Sequence, residues 1–365
     1  MKLPSFITAG RTGKLVRGKH WWVTEVRCCG LKVLSSCTDR KKRFIRFFGI
    51  PCGRFKVGRE GEASQLGKLV KSTVRAEEMP QASGVLRIVQ QAMTCFLNEV
   101  AGILEEGGYP YWLDFGTLLG AVRHRGFIPW DDDLDVAMPR PDFDRLVAYC
   151  RQHRQELLPM RLMTVDDNPQ YVYPIARFSD TRYRVKYQGI RDYGLGLFVD
   201  VYPLDGCGNT EEEARAWVQQ PMRDVKFINC CAAEKFTPSR RGWLHTPAKL
   251  AGFAWARLHG SAHYIHRIEA WARQKDYENC RYVGCTMWDT NWNIVYPRED
   301  LEKTLYVPFE DGEFPIPAGY DRVLRHTYGD YMTPPPPEQR IGQHFYTVWP
   351  KEQGAAEEHK EGAIS

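Results

Sequence analysis

Four aspartates fall within five consecutive positions of the stretch "WDDDLDVAMP", which begins at Trp130. They are Asp131, Asp132, Asp133 and Asp135, and carboxylates this close repel one another unless a cation lies among them. A solvated surface loop would also relieve the repulsion, without any chemistry. The cluster alone therefore leaves two interpretations open, a metal site and a solvated acidic loop.

The apolar residues around the last two aspartates favour the metal site. Period-two alternation on a strand would put Asp133 and Asp135 on one face and turn Leu134 and Val136 toward the core. Two carboxylates on one rigid strand can hold Mg²⁺ or Mn²⁺, which prefer oxygen ligands and commonly bridge substrate phosphates. A third acid, Asp200, is isolated in the apolar stretch "GLFVDVYPLDG", where a lone carboxylate needs a partner.

Residues that can bind phosphate lie just before the acidic cluster. Gly116 and Thr117 fall where a strand is predicted to turn into a helix, and backbone N–H groups at a helix start can receive a phosphate. Arg123 and His124 follow, and arginine is suited to bidentate contact with phosphate oxygens. For Arg177, phosphate binding and pairing at a strand edge are equally open.

The spacing of apolar residues predicts the elements that must position these groups. Residues 84–108 have apolar positions three and four apart, which predicts an amphipathic helix closed by two glycines. Strands are predicted near 109–115, 134–139, 161–165, 172–178 and 197–202, and helices at 117–126 and 141–153. Helical spacing returns after about residue 207, and the chain becomes aromatic and loop-rich from 284 onward. Strands and helices mixed in this way predict an α+β or α/β domain.

Together these motifs resemble a known family. Gly-Thr, an Asp-hydrophobic-Asp strand and a third acid on a later strand look like the nucleotidyltransferase fold of the polymerase-β superfamily, a mixed sheet flanked by helices in the α+β class. More closely, residues 116–146, "GTLLGAVRHRGFIPWDDDLDVAMPRPDFDRL", resemble the LicD family of phosphocholine transferases, to which fukutin and fukutin-related protein are akin. The likeness continues through "VDVYPLDG" to "YGDYMTPPPPEQRIGQH" and covers about residues 85–350.

The resemblance implies a metal-dependent phosphotransferase that uses Mg²⁺ or Mn²⁺. Phosphocholine, or a similar phospho-alcohol, would pass from CDP-choline or a related CDP-alcohol to a hydroxyl of a cell-surface glycan or its lipid-linked precursor, and CMP would leave. The catalytic and metal-binding residues that it implies are Asp133, Asp135 and Asp200, the last also as the base for the acceptor hydroxyl. The substrate-binding residues are Gly116, Thr117, Arg123, His124 and Arg177. Asp131 and Asp132 would support the metal ligands.

The resemblance also divides the chain. Residues 84–207 would form the catalytic core, and residues 208–350, helical and then aromatic and loop-rich, would complete the LicD-like domain. Residues 1–80 lie outside the resemblance, and the tail at 351–365, rich in Glu, Gly and Ala, is predicted to be disordered.

The first 80 residues form a basic arm by composition. They hold 18 Lys or Arg and 6 Asp or Glu, a balance of +12, so the remaining residues carry 5 − 12 = −7. In residues 39–56 basic side chains interleave with aromatic ones, which suits an anionic membrane surface. Nucleic acid is a competing partner, since aromatics stack on bases and arginine contacts phosphate, but we do not expect it. A solvated basic arm without a partner is the third alternative.

The remaining signals bear on location and on the substrate. No run approaches the roughly 18 apolar residues of a membrane span and no signal peptide is evident, which predicts a cytoplasmic protein, peripheral on the inner face of the membrane. The eleven cysteines lack metal-site spacing and are predicted to be mostly buried thiols. Trp288, Trp292 and Tyr296 are either an aromatic cage for a quaternary ammonium or core packing.

Two rival functions remain on sequence grounds. The first is transfer of another group, a different phospho-polyol or a nucleotidyl group. The second is a non-catalytic, membrane-associated or glycan-binding module on the same fold, which would bind no divalent metal.

Overall fold

A computed structural model describes much of the chain between residues 7 and 350. Side chains are described at residue 79 and in the ranges 81–239, 245–287, 295–336, 339–340 and 346–350, and five strands between residues 7 and 56 are described by their backbone. The tail predicted to be disordered, residues 351–365, lies outside the described residues.

The described elements are named in chain order. The strands are β1 (Ile7–Val16), β2 (Lys19–Cys28), β3 (Leu31–Thr38), β4 (Lys42–Phe47), β5 (Ile50–Lys56), β6 (Trp112–Leu113), β7 (Asp135–Pro139), β8 (Met160–Met163), β9 (Ala176–Asp180), β10 (Tyr183–Tyr187), β11 (Leu197–Gly208), β12 (Tyr282–Gly284), β13 (Val295–Pro297), β14 (Thr304–Phe309), β15 (Gly312–Pro317) and β16 (Tyr346–Pro350). The helices are α1 (Val85–Glu106), α2 (Phe115–His124), α3 (Arg140–Gln152), α4 (Glu211–Gln219), α5 (Met222–Ala232), α6 (Thr246–Ala272) and α7 (Tyr320–Tyr328).

The first five strands form an antiparallel sheet in the order β1-β2-β3-β4-β5. A basic arm was predicted here, without strands assigned to it. Aromatic and β-branched residues mixed with basic ones, as in β4 (KRFIRF), are also common in strands, so the same composition is compatible with a sheet. Because the side chains of these strands lie outside the described residues, the membrane-surface interpretation of the arm stays a prediction.

The main sheet is built around β11, whose residues are all buried. β11 pairs in parallel with β7 and antiparallel with β9 and β12, and β6, β8 and β13 extend the sheet at its edges. A strand covered on both faces is apolar along its length, as β11 is except at Asp200 and Asp205. Each of these two acids is paired with a buried arginine, Arg177 and Arg140 respectively.

Helices cover this sheet, as the sequence predicted. α1 confirms the predicted amphipathic helix to within two residues at each end, and it packs its buried face, which includes Phe96, Val100 and Leu104, against β11. α3 packs against β7, β8 and β11. Within the described ranges, we find no helix with the length and apolarity that crossing a membrane requires.

One detail of the acidic stretch differs from the prediction. β7 begins at Asp135, so Asp133 precedes the strand instead of sharing it. The pairing explains this, because Asp135 faces Asp200 of β11 and the short β6 reaches only Val136 and Ala137, which leaves no ladder partner at Asp133. The predicted inward alternation is confirmed nevertheless, since Leu134 and Val136 are fully buried.

Candidate active site

A cleft of about 700 Å³ lies beside the start of β7. Five aspartates line it, the four at Asp131, Asp133, Asp135 and Asp200 and a fifth, Asp330, from the C-terminal part of the domain. Gly116, Arg123 and Arg177 also line the cleft. The cleft therefore brings together residues that are far apart in the sequence, such as Gly116 and Asp200.

Asp135 and Asp200 are placed by backbone pairing. They are register partners on the parallel strands β7 and β11, and the Asp200 N–H donates to the Leu134 carbonyl at 2.8 Å. The Asp135 N–H donates to Oγ1 of Thr117 at 2.9 Å. Thr117 thus lies beneath the cleft wall and anchors β7 to α2, so its predicted contact with a diphosphate would have to be made through the backbone.

The start of α2 is fixed by Asp114. Its side chain caps the helix by accepting the Phe115 N–H at 2.8 Å, and its own N–H donates to the Asp135 carbonyl at 3.0 Å. Burial raises the pKa of the Asp114 carboxyl to about 7, against the hydrogen bond from Phe115, which lowers it. This cap positions Gly116 and the first turn of α2 at the cleft.

Asp131, Asp132 and Asp133 form a tight acidic group, with one oxygen from each lying within 4.8 Å of the others. Burial and the neighbouring charge of Asp133 raise the pKa of the Asp131 carboxyl well above its usual range. Asp131 also approaches the helix start so closely that a Cβ on Gly116 would lie 2.6 Å from its Oδ2. The absence of a side chain at Gly116 therefore makes room for the Asp131 carboxylate, a reason that differs from the predicted phosphate contact.

Asp135 has surroundings that favour a cation ligand. Its pKa is raised well above the usual range by burial and by the charges of Asp133 and Asp200. Its Oδ1 is buried and has no hydrogen-bond partner. A buried charged oxygen without a partner is costly, and a divalent metal ion would satisfy it.

Arg177 is the partner of Asp200. Its Nε lies 2.5 Å from Oδ1 of Asp200 and its Nη2 donates to Oδ2 at 2.9 Å, with both side chains buried. The guanidinium also lies over the Tyr173 ring, 3.7 Å from the centroid, and donates to the Tyr193 hydroxyl at 3.1 Å. Contact of Arg177 with substrate phosphate, and of Asp200 with the acceptor proton, both stay predictions.

Arg123 lines the cleft, and two hydrogen bonds fix its guanidinium group. Its Nη1 donates to the Tyr331 carbonyl at 2.6 Å and its Nε to Nε2 of His124 at 2.9 Å. Burial lowers the pKa of the Arg123 guanidinium to about 10, so it remains charged at neutral pH. His124 is not part of the cleft wall; in the structure it orients Arg123.

Residues 108–232 match the family described as "LicD/FKTN/FKRP, nucleotidyltransferase domain". The matched range contains the acidic cluster, Arg177 and Asp200. The chain therefore carries a LicD-family domain. That description also agrees with the nucleotidyltransferase fold implied by the sequence resemblance.

Two named transferases are similar to this chain. The lipopolysaccharide cholinephosphotransferase LicD of Haemophilus influenzae is 29% identical over 274 residues, which cover 72% of this chain and 98% of that protein. The human ribitol 5-phosphate transferase FKRP is 47% identical over 128 residues, 35% of this chain and 23% of that protein. An uncharacterized protein of Rickettsia typhi is 44% identical over 145 residues, 39% of this chain and 41% of that protein.

Sequence reasoning missed several groups in the LicD-family site. Aromatic side chains line the cleft, among them Trp130, Tyr173, Tyr187, Tyr202 and Tyr328. Of the three aromatics for which a cage and core packing were both open, Tyr296 is buried and does not line the cleft, which fits core packing, and Trp288 and Trp292 lie outside the described residues. Nothing local distinguishes the cleft aromatics from core residues, because their position depends on how β9, β10 and β11 pair.

A second set of residues that was not predicted from the sequence contacts the loop that carries Asp131 to Asp133, on the side away from the cleft. The Gln90 side chain, buried on α1, donates to the Asp131 carbonyl at 2.9 Å. Glu310, in the β14–β15 turn, accepts the Phe127 N–H at 3.1 Å and is held by Arg87 of α1, whose Nη2 lies 2.5 Å from its Oε2. These contacts fix the backbone that carries Asp131 to Asp133.

Proposed function

We propose that this chain transfers phosphocholine, or a similar phospho-alcohol, from a CDP-activated donor to a hydroxyl of a cell-surface glycan or of its lipid-linked precursor. Two relatives have names from this class, a cholinephosphotransferase and a ribitol 5-phosphate transferase. Both support a phosphotransferase, and they differ in the alcohol that is transferred. The word lipopolysaccharide in the first name supports a glycan acceptor.

The observation that carries the proposal is the convergence of five carboxylates in one cleft, with the buried Oδ1 of Asp135 lacking a partner. The donor atoms are all oxygens, which fits Mg²⁺ or Mn²⁺ better than a thiol-binding metal. Asp133, Asp135 and Asp200 would hold the ion, with Asp131 beside them. When bound, such an ion supplies charge neutralisation at the phosphate that is transferred.

The side chains of the cleft would position the donor phosphate and the acceptor hydroxyl. In the proposed reaction the acceptor hydroxyl oxygen attacks the phosphorus bearing the alcohol, the bond from that phosphorus to CMP breaks, and a cleft carboxylate, with Asp200 as the candidate, takes the hydroxyl proton. Such transfer depends on orientation and charge stabilisation more than on covalent catalysis. Arg123, which contacts the Tyr331 carbonyl and His124, would bind phosphate oxygens.

The aromatic wall supports choline as the headgroup. Trp130, Tyr187 and Tyr202 line the cleft, and an aromatic face can attract a quaternary ammonium, which cannot donate hydrogen bonds. Ribitol phosphate is the second candidate, because of the match to the human transferase. Ribitol would need hydrogen-bonding groups along its carbon chain, whereas choline would need aromatic rings. The two headgroups therefore require different residues in the cleft.

The location is part of the proposal. We place the protein in the cytoplasm, on the inner face of the membrane, with the basic arm at residues 1–80 as one means of attachment to anionic lipid. The proposed reaction needs no nucleic acid. At the inner face of the membrane the protein could bind a lipid-linked acceptor.

A donor panel tests the function directly. The full chain is incubated with Mg²⁺ or Mn²⁺ and with CDP-choline, CDP-ribitol, other CDP-alcohols or nucleoside triphosphates, and CMP and pyrophosphate are measured. CMP from CDP-choline supports phosphocholine transfer, CMP from CDP-ribitol supports the second candidate, and pyrophosphate from a triphosphate supports nucleotidyl transfer. Asp133→Asn and Asp135→Asn proteins that are folded and keep full metal-dependent turnover would refute the assigned site.

The non-catalytic alternative is separated by binding alone. Calorimetric titration with Mn²⁺, and then with CDP-choline in its presence, should give heat of binding for the wild type and none for a folded Asp133→Asn/Asp135→Asn protein. A wild type that binds neither metal nor donor would favour a glycan-binding module on the same fold.

A further inference from the structure

The first half of α6 presents apolar side chains to solvent. Leu250, Trp255 and Leu258 are 48%, 56% and 78% exposed. This half ends at Gly260, whose φ of 77° breaks the helix. A helix on the surface of a globular protein normally turns its large apolar residues inward, and in this half three of them are exposed.

The exposed residues share one side of the helix. Leu250, Ala251, Ala254, Trp255 and Leu258 are three or four positions apart, within an arc of about 140° at 100° per residue. All five are exposed, while Ala256 is the buried residue among positions 246–259. We call these five residues the α6 outer face, and no described part of the chain covers it.

The sequence that carries the outer face is basic. Residues 235–268 hold six Lys or Arg and no Asp or Glu, although at the chain's average of 45 acids in 365 residues about four would be expected. Lys249 is exposed beside the face, and Arg257 lies at its edge with its guanidinium over the Phe253 ring, 4.4 Å from the centroid. A basic rim around leucine and tryptophan is complementary to a bilayer with anionic headgroups.

The outer face is connected to the rim of the cleft. Arg257 donates to the Ala233 carbonyl, and Ala233 forms a β-bridge with Ile190. Ile190 and the nearby Gln188 line the cleft. A surface that receives the α6 outer face would therefore be held close to the cleft.

We propose that the α6 outer face docks on an anionic lipid surface, with Trp255, Leu250 and Leu258 entering the boundary between headgroups and acyl chains. Lys249 and Arg257 would meet the headgroups. Five residues are too few for a stable protein interface, which buries roughly 800 Å² and 20 to 30 residues on each side. Anchoring by a few aromatic and aliphatic side chains within a basic surface is instead typical of interfacial helices. The site is separate from the basic arm and from the catalytic residues.

Vesicle flotation with the full chain tests the proposal without any turnover, so its outcome is independent of the proposed phosphotransferase reaction. We expect the wild type to float with phosphatidylcholine vesicles that contain phosphatidylglycerol, less with pure phosphatidylcholine, and less at high salt. A Leu250→Ser/Trp255→Ser/Leu258→Ser protein should bind at least about ten-fold less. A Lys249→Glu protein should lose binding only to the anionic vesicles.

The matched control is Leu305→Ser/Tyr306→Ser, which removes exposed apolar side chains from β14 and should float like the wild type. An arm variant, Lys41→Ser/Lys42→Ser/Arg43→Ser, measures attachment through residues 1–80. The proposal is overturned if the α6 triple variant floats like the wild type, or if the wild type binds neither vesicle. It is also overturned if sedimentation shows a wild-type dimer that the triple variant dissociates, because the outer face would then be a contact between copies.

Discussion

Asp135 on β7 and Asp200 on β11 are directly paired in parallel register, and Arg177 on β9 pairs with Asp200 from the other side. Two negative charges and one positive charge thus form a row across three adjacent strands. Neighbouring strands are about 4.8 Å apart, so the backbone ladder itself sets the spacing of these groups. Functional groups on rigid strands need little rearrangement when a cation and a substrate bind.

Replacing Asp135 should separate stability from activity. The raised pKa of this carboxyl means that its ionised form costs folding free energy at pH 7, and Asp135→Asn removes that cost. We expect a higher melting temperature than the wild type in metal-free buffer, no further rise on adding Mg²⁺, and CMP release at least about 100-fold lower. Thermal melting with and without Mg²⁺ measures the first two. A lower metal-free melting temperature would contradict the placement of Asp135 among uncompensated acids.

Local periodicity was enough to predict the elements but not their contacts. The apolar residues spaced three and four apart around Val100 predict α1, because the buried face of a helix repeats about every 3.6 residues. The apolar run that starts at Leu197 predicts β11, and both patterns can be seen within a short stretch of sequence. Asp133 was predicted to lie on a strand, but β7 starts two residues later, at Asp135. The limits of a strand depend on the neighbouring strands that pair with it, here β6 and β11, and local sequence does not show them.

The contacts that build the site depend on pairs far apart in sequence. Gln90 reaches the Asp131 carbonyl across 41 residues, and Arg177 reaches Asp200 across 23. No spacing rule predicts either contact, because sheet register and helix packing bring them together. The family motif identified the acids of the cleft, but not the side chains that hold them in place.

A methyl group at position 116 should disturb the acidic cluster without unfolding the protein. In Gly116→Ala the new Cβ would lie 2.6 Å from Oδ2 of Asp131, and that carboxylate can rotate away at little cost to the fold. We expect a nearly unchanged melting temperature, weaker Mn²⁺ binding by calorimetry, and CMP release lower by about ten-fold or more. Gly102→Ala is the control, because nothing lies within 4 Å of its Cβ and helix propensity should raise stability by up to ~1 kcal/mol. Equal losses of metal affinity in both variants would contradict the role assigned to the Gly116–Asp131 contact.

Removing the Gln90 side chain should loosen the loop that carries the acids. Gln90→Ala leaves the Asp131 carbonyl without its buried donor, which should lower the free energy of unfolding by about 1–3 kcal/mol and CMP release by about 10- to 100-fold. Asn98→Ala on the same helix is the control, since that amide contacts only the exposed Asp311 at 3.4 Å and its loss should change neither quantity measurably. Urea denaturation and CMP assays at a temperature where both variants are folded make the comparison. Wild-type turnover in a destabilised Gln90→Ala protein would show that the hydrogen bond from Gln90 to the Asp131 carbonyl stabilises the fold without affecting the reaction.

Two buried arginine–aspartate pairs allow the role of Arg177 to be separated from simple packing. Arg140 binds Asp205 with its Nε 2.6 Å from Oδ1, and Arg177 binds Asp200 at 2.5 Å, but only the second pair lines the cleft. Lysine keeps the charge and loses the planar fork, so Arg140→Lys and Arg177→Lys should each lower the free energy of unfolding by about 1–3 kcal/mol. We expect CMP release, assayed below both melting temperatures, to fall at least about ten-fold in Arg177→Lys and to stay near the wild-type value in Arg140→Lys. If both variants lose activity equally, Arg177 acts through the stability of β11, and its position in the charged row across the sheet has no separate part in the reaction.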